Sequence, residues 1–180
     1  PITQGNRNPL LYKNIGADGI KTGFLTVEKY SLASSIKVGA RRLTAVGSGF
    51  ETRNSRSKES IKILTWGLRS FDTIQVAKKN TVITNLGVWL GKKNKVEVSV
   101  NEDIYLTVPK RKKNTVKAVI EYTTPIRAPV EKGDKLGSLS VFVDEKLIKK
   151  IDIFSNEKIK RTNIFSRLLK SFNFLVWGDA

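Results

Sequence analysis

Asp18-Gly19-Ile20-Lys21-Thr22-Gly23 is the stretch of sequence from which the fold of this chain is read most directly. It leads into an extended segment, residues 19–24, and alternating apolar and small residues predict a second strand over 30–38. A tight turn at Gly39-Ala40-Arg41 leads into a third predicted strand, 42–48. The stretch therefore begins a small antiparallel sheet whose first strand carries Lys21, Thr22 and Gly23.

After the sheet, the spacing of apolar residues becomes helical. They recur at three- and four-residue steps: Ile61, Leu64, Leu68 and Phe71. This pattern predicts an amphipathic helix over 57–71, with Ser57 or one of its neighbours as the N-cap and Glu59 in the first turn. Residues 1–75 are then a polar loop, strands and a covering helix, which together form part of an α+β layer arrangement.

From about residue 76 the pattern is that of an all-β region. The predicted strands are 81–90, 95–100, 104–108, 115–122, 136–143 and 147–154. Turn-forming Gly, Pro, Asn and Asp residues separate them. Short strands at this spacing predict that residues 76–156 form a small all-β domain, an antiparallel sandwich or barrel.

Residues 157–180 form a third segment. One apolar stripe at helical spacing runs through it: Ile164, Phe165, Leu168, Leu169, Phe172, Leu175 and Val176. Lysines and arginines fall on the other faces, which predicts an amphipathic helix over 158–177. Such a helix is typical of an anchor lying in a bilayer interface, and equally of a terminal helix docked on its own domain.

The amino-acid composition limits the kinds of catalysis and of binding partner that we expect for this chain. The 180 residues include 33 Lys and Arg against 16 Asp and Glu, a net charge of +17 that favours anionic partners without choosing among them. With no His and no Cys, catalysis by imidazole or thiolate is excluded, and we expect no metal and no cofactor. Met is also absent, so we expect a processed or excised piece of a longer protein. No apolar run is long enough for a membrane span.

Lys21-Thr22-Gly23 is the candidate functional motif. Acyl transfer from a peptide that ends in a carboxylate needs a fixed cation, a hydroxyl donor and an open strand edge. Lys21 would supply the charge and Thr22 the hydrogen bond, while Gly23 would let the substrate backbone lie close along the strand. The alternative is a strand entry with a solvated lysine, because a bare tripeptide in so basic a chain is weakly specific.

Several segments, in collinear order, resemble the low-molecular-mass penicillin-binding D-alanyl-D-alanine carboxypeptidases. Those that resemble the end of the family's catalytic domain are Asp18 to Gly23, Tyr30-Ser31-Leu32-Ala33-Ser34, Arg41-Arg42-Leu43 and Ile63-Leu64-Thr65-Trp66-Gly67 with Phe71. Those that resemble its β-rich second domain are Asp103 to Pro109 and Pro129 to Gly137. The amphipathic tail resembles its membrane anchor. The resemblance implies the C-terminal part of a serine β-lactamase/transpeptidase-like domain, then the all-β domain and the anchor helix.

The resemblance also implies a serine nucleophile in Ser-x-x-Lys, with a Ser-x-Asn motif, both well upstream of Lys-Thr-Gly. Neither motif fits before Lys21, so we expect no catalytic residue in this chain and no activity of the chain alone. The copies that follow Lys21 are interpreted as coincidence: Ser34 to Lys37, Ser55 to Lys58, Ser155 to Lys158 and Ser171-Phe172-Asn173. Phe24 departs from the family, where many members have His.

The implied substrate site comprises Lys21, Thr22 and Gly23. Implied partners are the peptidoglycan pentapeptide, β-lactam antibiotics when the catalytic domain is complete, and the inner-membrane surface. The implied location is the periplasmic face of that membrane.

Two other classes of function stay open from the sequence. One is a non-catalytic, membrane-tethered adaptor that binds the cell wall. The other is a basic β-domain that binds nucleic acid through Lys110-Arg111-Lys112-Lys113 and Lys92-Lys93. Aromatic residues are not interleaved with these runs as base stacking requires, which favours solvated hairpin tips.

Overall fold

The computed structural model describes residue 1, residues 3–164 and residues 168, 172, 175 and 176. The chain divides into two compact units, Pro1–Thr73 and Ile74–Ala180. Because each unit has its own buried apolar cluster, each is described by itself.

The first unit is a three-stranded antiparallel sheet with one helix. Its strands are β1 (Ala17–Leu25), β2 (Lys29–Val38) and β3 (Arg41–Phe50), in the spatial order β1-β2-β3. The helix α1 spans Arg53–Ser70, and a 3-10 helix at Pro9–Tyr12 precedes the sheet in a segment predicted to be loop. Among the described residues, the buried apolar cluster of the unit consists of Leu10, Leu32, Ile36 and Leu64.

Helix α1 begins four residues before the prediction. Its N-cap is Thr52, not Ser57, and Glu59 does not lie in the first turn. The hydroxyl of Thr52 accepts a hydrogen bond from Ser55 N, and the hydroxyl of Ser55 accepts one from Thr52 N, both at 3.0 Å. In this reciprocal cap, Ser55 takes the position that Glu or Gln usually holds. The sequence therefore lacks the usual signal for a helix start, which is why the predicted helix begins too late. Phe71 leaves the helix and begins the next strand.

The second unit is a β structure of two sheets around one core. A two-stranded sheet pairs β4 (Phe71–Ala77), which crosses the junction of the two units, with β7 (Ile104–Pro109). The strands of the six-stranded sheet are β5 (Thr84–Trp89), β6 (Lys95–Ser99), β8 (Val116–Tyr122), β9 (Ile126–Arg127), β10 (Lys135–Val143) and β11 (Lys146–Ser155). Their spatial order is β8-β10-β11-β6-β5-β9, and a 3-10 helix at Lys110–Thr115 joins β7 to β8.

Alternation of apolar residues builds this core. Strand β6 buries Val96 and Val98, and strand β7 buries Ile104, Leu106 and Val108. Side chains two residues apart share one face of a strand, so these positions all reach the same interior. The six predicted strands are present, and β4 and the two-residue β9 are additional. Strand β9 lies parallel to β5, so the sheet is not wholly antiparallel.

The tail differs from the prediction at its start. Residues 158–162 are not helical. Ile159 is fully buried and exchanges two backbone hydrogen bonds with Val130, at 2.8 and 2.9 Å. Burial of Ile159 and this pairing override the helical pattern at these residues. Residues 164, 168, 172, 175 and 176 are helical, and the other residues of the predicted helix, 165–167, 169–171, 173, 174 and 177, lie outside the described residues.

Candidate functional site

Lys21, Thr22 and Gly23 lie on strand β1, at one edge of the first unit's sheet. They are opposite Ala33, Leu32 and Ser31 of β2 in the register of that pair. An edge strand presents unpaired backbone N–H and C=O groups along its outer side. An extended peptide can add to such an edge as a further strand.

Asn8 fixes the segment that precedes this strand. Its side chain is buried, its Nδ2 donates to Gly19 O at 2.8 Å, and its Oδ1 accepts from Leu10 N at 3.0 Å. A buried amide with satisfied partners on two segments ties them together rigidly. Asn8 therefore places its neighbour Arg7 beside β1.

Asp18 is held by the far strand of the sheet. Arg42 of β3 forms two bonds to its carboxylate, at 2.8 and 2.6 Å, and also donates to Ser35 of β2 at 2.6 Å. Hydrogen bonding from Arg42 lowers the pKa of Asp18, and Ser35 lowers it further. The carboxylate of Asp18 therefore neutralises Arg42. Asp18 does not line the cavity described next.

A cavity of about 920 Å³ opens beside the motif. Its lining residues are Arg7, Lys21, Thr22, Gly23, Phe24, Tyr30, Arg53 and Arg56. Four of these carry a positive charge and none carries a carboxylate. Cations that converge around an open cavity favour an anionic ligand of small size.

Tyr30 is the centre of the cationic cluster. The guanidinium carbons of Arg53 and Arg56 lie 6.0 and 5.7 Å from its ring centroid, and the ring of Phe24 lies 4.7 Å away. Both arginines belong to the first turn of α1, where the helix dipole makes positive charge unfavourable. Their position therefore opposes helix stability and favours a role in binding an anion.

Arg56 is the most constrained of the four cations. Its residue is 7% exposed, and among the described residues its Nε has no hydrogen-bond partner. Burial lowers the pKa of Arg56, and the charge of Arg53 lowers it further. A buried guanidinium N–H without a partner is costly, and an anion entering the cavity would supply the partner.

The three predicted site residues thus line one cavity together with four others that the sequence analysis missed. The missed residues are Arg7, Tyr30, Arg53 and Arg56. A sequence signal existed for Arg53 and Arg56. They occupy the first turn of a helix, where acidic residues are usual. A Cβ at Gly23 would meet only the hydroxyl of Ser31 on the adjacent strand, which can rotate away. The close approach of a substrate backbone at Gly23 stays a prediction.

The Ser-x-x-Lys copies do not belong to this cavity. Ser34 is buried in β2 and donates to Ala45 O at 3.2 Å, and Ser55 caps helix α1. Ser155 lies in the second unit and donates to Glu157 O. None of these serines is among the lining residues of the described structure. Ser171 and Asn173 lie outside the described residues.

Comparisons with known proteins identify relatives of this chain. Residues 71–161 match the family model described as penicillin-binding protein 5, C-terminal domain. The chain is 32% identical over 170 residues to D-alanyl-D-alanine carboxypeptidase DacA of Escherichia coli, and 34% identical over 170 residues to the protein of that name from Haemophilus influenzae. Both alignments cover 93% of this chain, but they cover only 42% of the first relative and 43% of the second.

A solved structure shows the same fold. The crystal structure of penicillin binding protein 5 from Haemophilus influenzae aligns with a TM-score of 0.78 at 33% identity. The alignment covers 89% of this chain and 47% of that one, so the chain spans less than half of its relatives. The chain belongs to the D-alanyl-D-alanine carboxypeptidases of the penicillin-binding group and corresponds to their C-terminal part, with the penicillin-binding protein 5 C-terminal domain at residues 71–161.

Proposed function

We propose that this chain supplies the Lys-Thr-Gly wall of a serine-type D-alanyl-D-alanine carboxypeptidase site. The observation that carries the proposal is the cavity in which Lys21, Thr22, Arg7, Arg53 and Arg56 converge beside an open strand edge. The names of the relatives supply the substrate class, a peptide that ends in D-alanyl-D-alanine. Such a peptide carries one terminal carboxylate, which the cations of this cavity can bind.

The substrate backbone lies along the outer edge of β1 as an added strand. Its terminal carboxylate enters the cavity, where Arg56 and Thr22 donate hydrogen bonds and Lys21 contributes charge. Charge-assisted hydrogen bonds of this kind contribute about 1.5–3 kcal/mol each. The peptide bond before the last D-alanine is thereby held at a fixed distance from β1.

The nucleophile of the proposed reaction is a serine of a Ser-x-x-Lys motif outside this chain. Its hydroxyl oxygen forms an ester with the penultimate D-alanine as the peptide bond breaks, and the proton passes to the departing amino group of the last D-alanine. Water then cleaves the ester and restores the serine. A β-lactam acylates the same hydroxyl. The chain alone is inactive in this scheme.

An apolar groove supports the view that the first unit is one part of a larger serine β-lactamase/transpeptidase-like domain. Strand β3 is the other edge of the sheet, and between it and α1 lies a cavity of about 440 Å³. Val46, Ile63 and Trp66 lie there and are more than half exposed. Apolar surface beside an unpaired strand edge is a place where further polypeptide packs.

The proposed location is the periplasmic face of the inner membrane, with the C-terminal segment as the attachment. Within the part of the chain that the structure describes, no helix has the length and hydropathy to cross a bilayer. The described apolar residues from 164 onward are nevertheless exposed: Ile164, Leu168, Phe172, Leu175 and Val176. Surface attachment through an interfacial helix fits both observations. Deleting residues 163–180 should abolish flotation with liposomes, and unchanged flotation would contradict the attachment.

A fluorescent penicillin tests the proposed site. The full-length protein should be labelled on one serine upstream of residue 1, whereas this chain alone should remain unlabelled. A serine adduct on this chain alone would show that the nucleophile is misassigned.

The role of the cavity is tested in the full-length enzyme with two variants of helix α1. Arg56→Gln should lower kcat/KM for a D-alanyl-D-alanine peptide by about 10- to 100-fold, because one charge-assisted bond to the carboxylate is lost. Lys58→Gln removes the same charge from an exposed position outside the cavity and should leave kcat/KM within about twofold. Equal effects of the two variants would mean that Arg56 does not contact the substrate.

A further inference from the structure

Three segments meet at the end of the second unit from which the C-terminal segment leaves. They are residues 90–94 after β5, residues 127–130 from the last residue of β9 onward, and residues 158–162. Backbone hydrogen bonds join them: Lys92 N donates to Lys160 O at 2.9 Å, and Thr162 N donates to Leu90 O at 3.0 Å. The position of each segment is therefore fixed by the backbone of another.

This end carries a cluster of exposed cations, here named the tail-root cluster: Lys92, Arg127, Lys160 and Arg161. Among the described residues none of the four has a carboxylate partner. The nearby acidic residues are already used, since Glu157 pairs with Lys93, and Glu131 pairs with Lys158 at 2.8 Å. The cluster therefore presents uncompensated positive charge.

Two of the four cations are held in place. Arg161 Nε donates to Ala128 O at 3.1 Å, and the guanidinium of Arg127 lies 5.5 Å from the ring centroid of Trp89. A half-buried tryptophan beside a guanidinium is typical of protein surfaces that meet lipid head groups, where one side is apolar and the other wet. Charges that are fixed before binding lose less entropy on binding than mobile ones.

The chain continues from this cluster directly into the exposed apolar residues of the C-terminal segment. Ile164 is 70% exposed and lies three residues after Arg161. Cations next to an exposed apolar segment match an anionic bilayer, whose head groups take the charge and whose acyl chains take the apolar side chains.

The other basic run of the unit lacks this combination. In the 3-10 helix Lys110–Thr115, Lys112 pairs with Asp144 at 2.5 Å, and the neighbouring Lys117 lies 4.0 Å from Glu145. No described apolar tail leaves from that run. Positive charge alone therefore does not single out the tail-root cluster.

We propose that the tail-root cluster docks on anionic phospholipid head groups, so that the folded β unit itself touches the membrane. The inference rests on the proposed attachment of the C-terminal segment and adds a second contact that fixes how the unit stands on the surface. Each cation near an anionic surface changes the binding constant by about fivefold.

The absence of cysteine from the chain permits a site-specific test. A nitroxide on Asn94→Cys reports on the tail-root cluster, and one on Asn114→Cys reports on the other basic run. With vesicles that contain phosphatidylglycerol, the label at 94 should lose accessibility to an aqueous nickel chelate, while the label at 114 keeps it. If the chain binds these vesicles and both labels stay accessible, the docking is wrong although the attachment stands. If the chain does not bind them, both proposals fail.

Paired charge variants of the whole chain complete the test. Lys92→Gln with Lys160→Gln should weaken binding to phosphatidylglycerol vesicles by about tenfold or more, and binding to phosphatidylcholine vesicles little. Arg111→Gln with Lys113→Gln is the matched control and should change it less than about twofold. Equal losses for both pairs would indicate unspecific polycation binding and overturn the inference. A larger loss for a single-stranded oligonucleotide than for vesicles would overturn it in favour of nucleic acid.

Discussion

Arg56 shows at the scale of one residue how the proposed binding site opposes stability. The side chain is buried in the first turn of α1, beside Arg53 and with one N–H lacking a partner among the described residues. Each of these features favours removal of the charge when no ligand is present. Natural proteins keep such residues where binding requires them.

Replacement of Arg56 by an apolar residue should therefore stabilise the unliganded chain. We expect Arg56→Met to raise the free energy of unfolding of the first unit by about 1 kcal/mol, even after the contact with Tyr30 is lost. Thermal unfolding measures the change. Arg56→Lys keeps the charge and should give no such gain; if both variants destabilise the unit equally, the guanidinium is a structural element.

Asp18 provides a test by pH. Its folded pKa is lowered, first by the hydrogen bond from Arg42, so the bond stabilises the first unit above the ordinary pKa of 3.8 and is lost as pH falls through the folded value. Carboxyl-carbon NMR should give a titration midpoint below 3.8 for Asp18. Arg42→Gln should return the midpoint towards the ordinary value. Arg41→Gln is the control, because Arg41 donates instead to the last carbonyls of α1 and to Phe71 O.

At the scale of elements, the pairing of β8 with β10 depends on a glycine. Gly137 faces Tyr122, and an added Cβ would lie 2.8 Å from the Cβ of Tyr122 and closer still to Glu121 O. A backbone oxygen cannot rotate away as a side chain can. The two strands approach this closely only because the position has no side chain.

Gly137→Ala should therefore cost about 1–3 kcal/mol of stability in the second unit. Gly87→Ala in β5 is the matched control, since nothing lies within 4 Å of an added Cβ there and its φ is not positive. The control should be neutral or stabilising by less than about 1 kcal/mol. Urea unfolding of both variants measures the difference, and similar values for the two would mean that the strands adjust freely.

Local patterns in the sequence predict the strands well where turns bound them, as at Gly39-Ala40 between β2 and β3. They fail where a segment's structure depends on residues that are distant in the sequence. Strand β9 lies between two prolines and forms only because β5 lies beside it. Residues 158–162 read as the start of a helix but pair with a segment almost thirty residues earlier.

The candidate site likewise depends both on a local pattern and on residues distant in the sequence. Lys21, Thr22 and Gly23 were predicted because they are contiguous. The convergence of Arg7, Arg53 and Arg56 on them depends on the contact of Asn8 with Gly19 and on the position of α1. No local pattern contains that information.

At the scale of the whole molecule, the two units differ greatly in the size of their cores. Among the described residues, the apolar cluster of the first contains four buried residues and that of the second contains seventeen. Hydrophobic burial is the main favourable contribution to folding, so the second unit should be the more stable. Unfolding of the chain should therefore proceed in two steps.

Hydrogen exchange in increasing denaturant should resolve these two steps. Leu64→Ala, in the core of the first unit, should lower only the earlier transition, by about 2–5 kcal/mol. Val98→Ala, in the core of the second, should lower only the later one. A single transition that both variants shift together would show that the units fold as one.

The backbone bonds around Ile159 have a mechanical consequence. A force that pulls on the C-terminal segment does not act first on a free linker, because residues 159 to 162 are bonded to Val130 on one side and to Leu90 and Lys92 on the other. The applied force is therefore distributed over two separate parts of the β structure before any strand can separate from its sheet. The β structure therefore holds the chain as far as Thr162, and a force on the C-terminal segment acts directly on these backbone bonds.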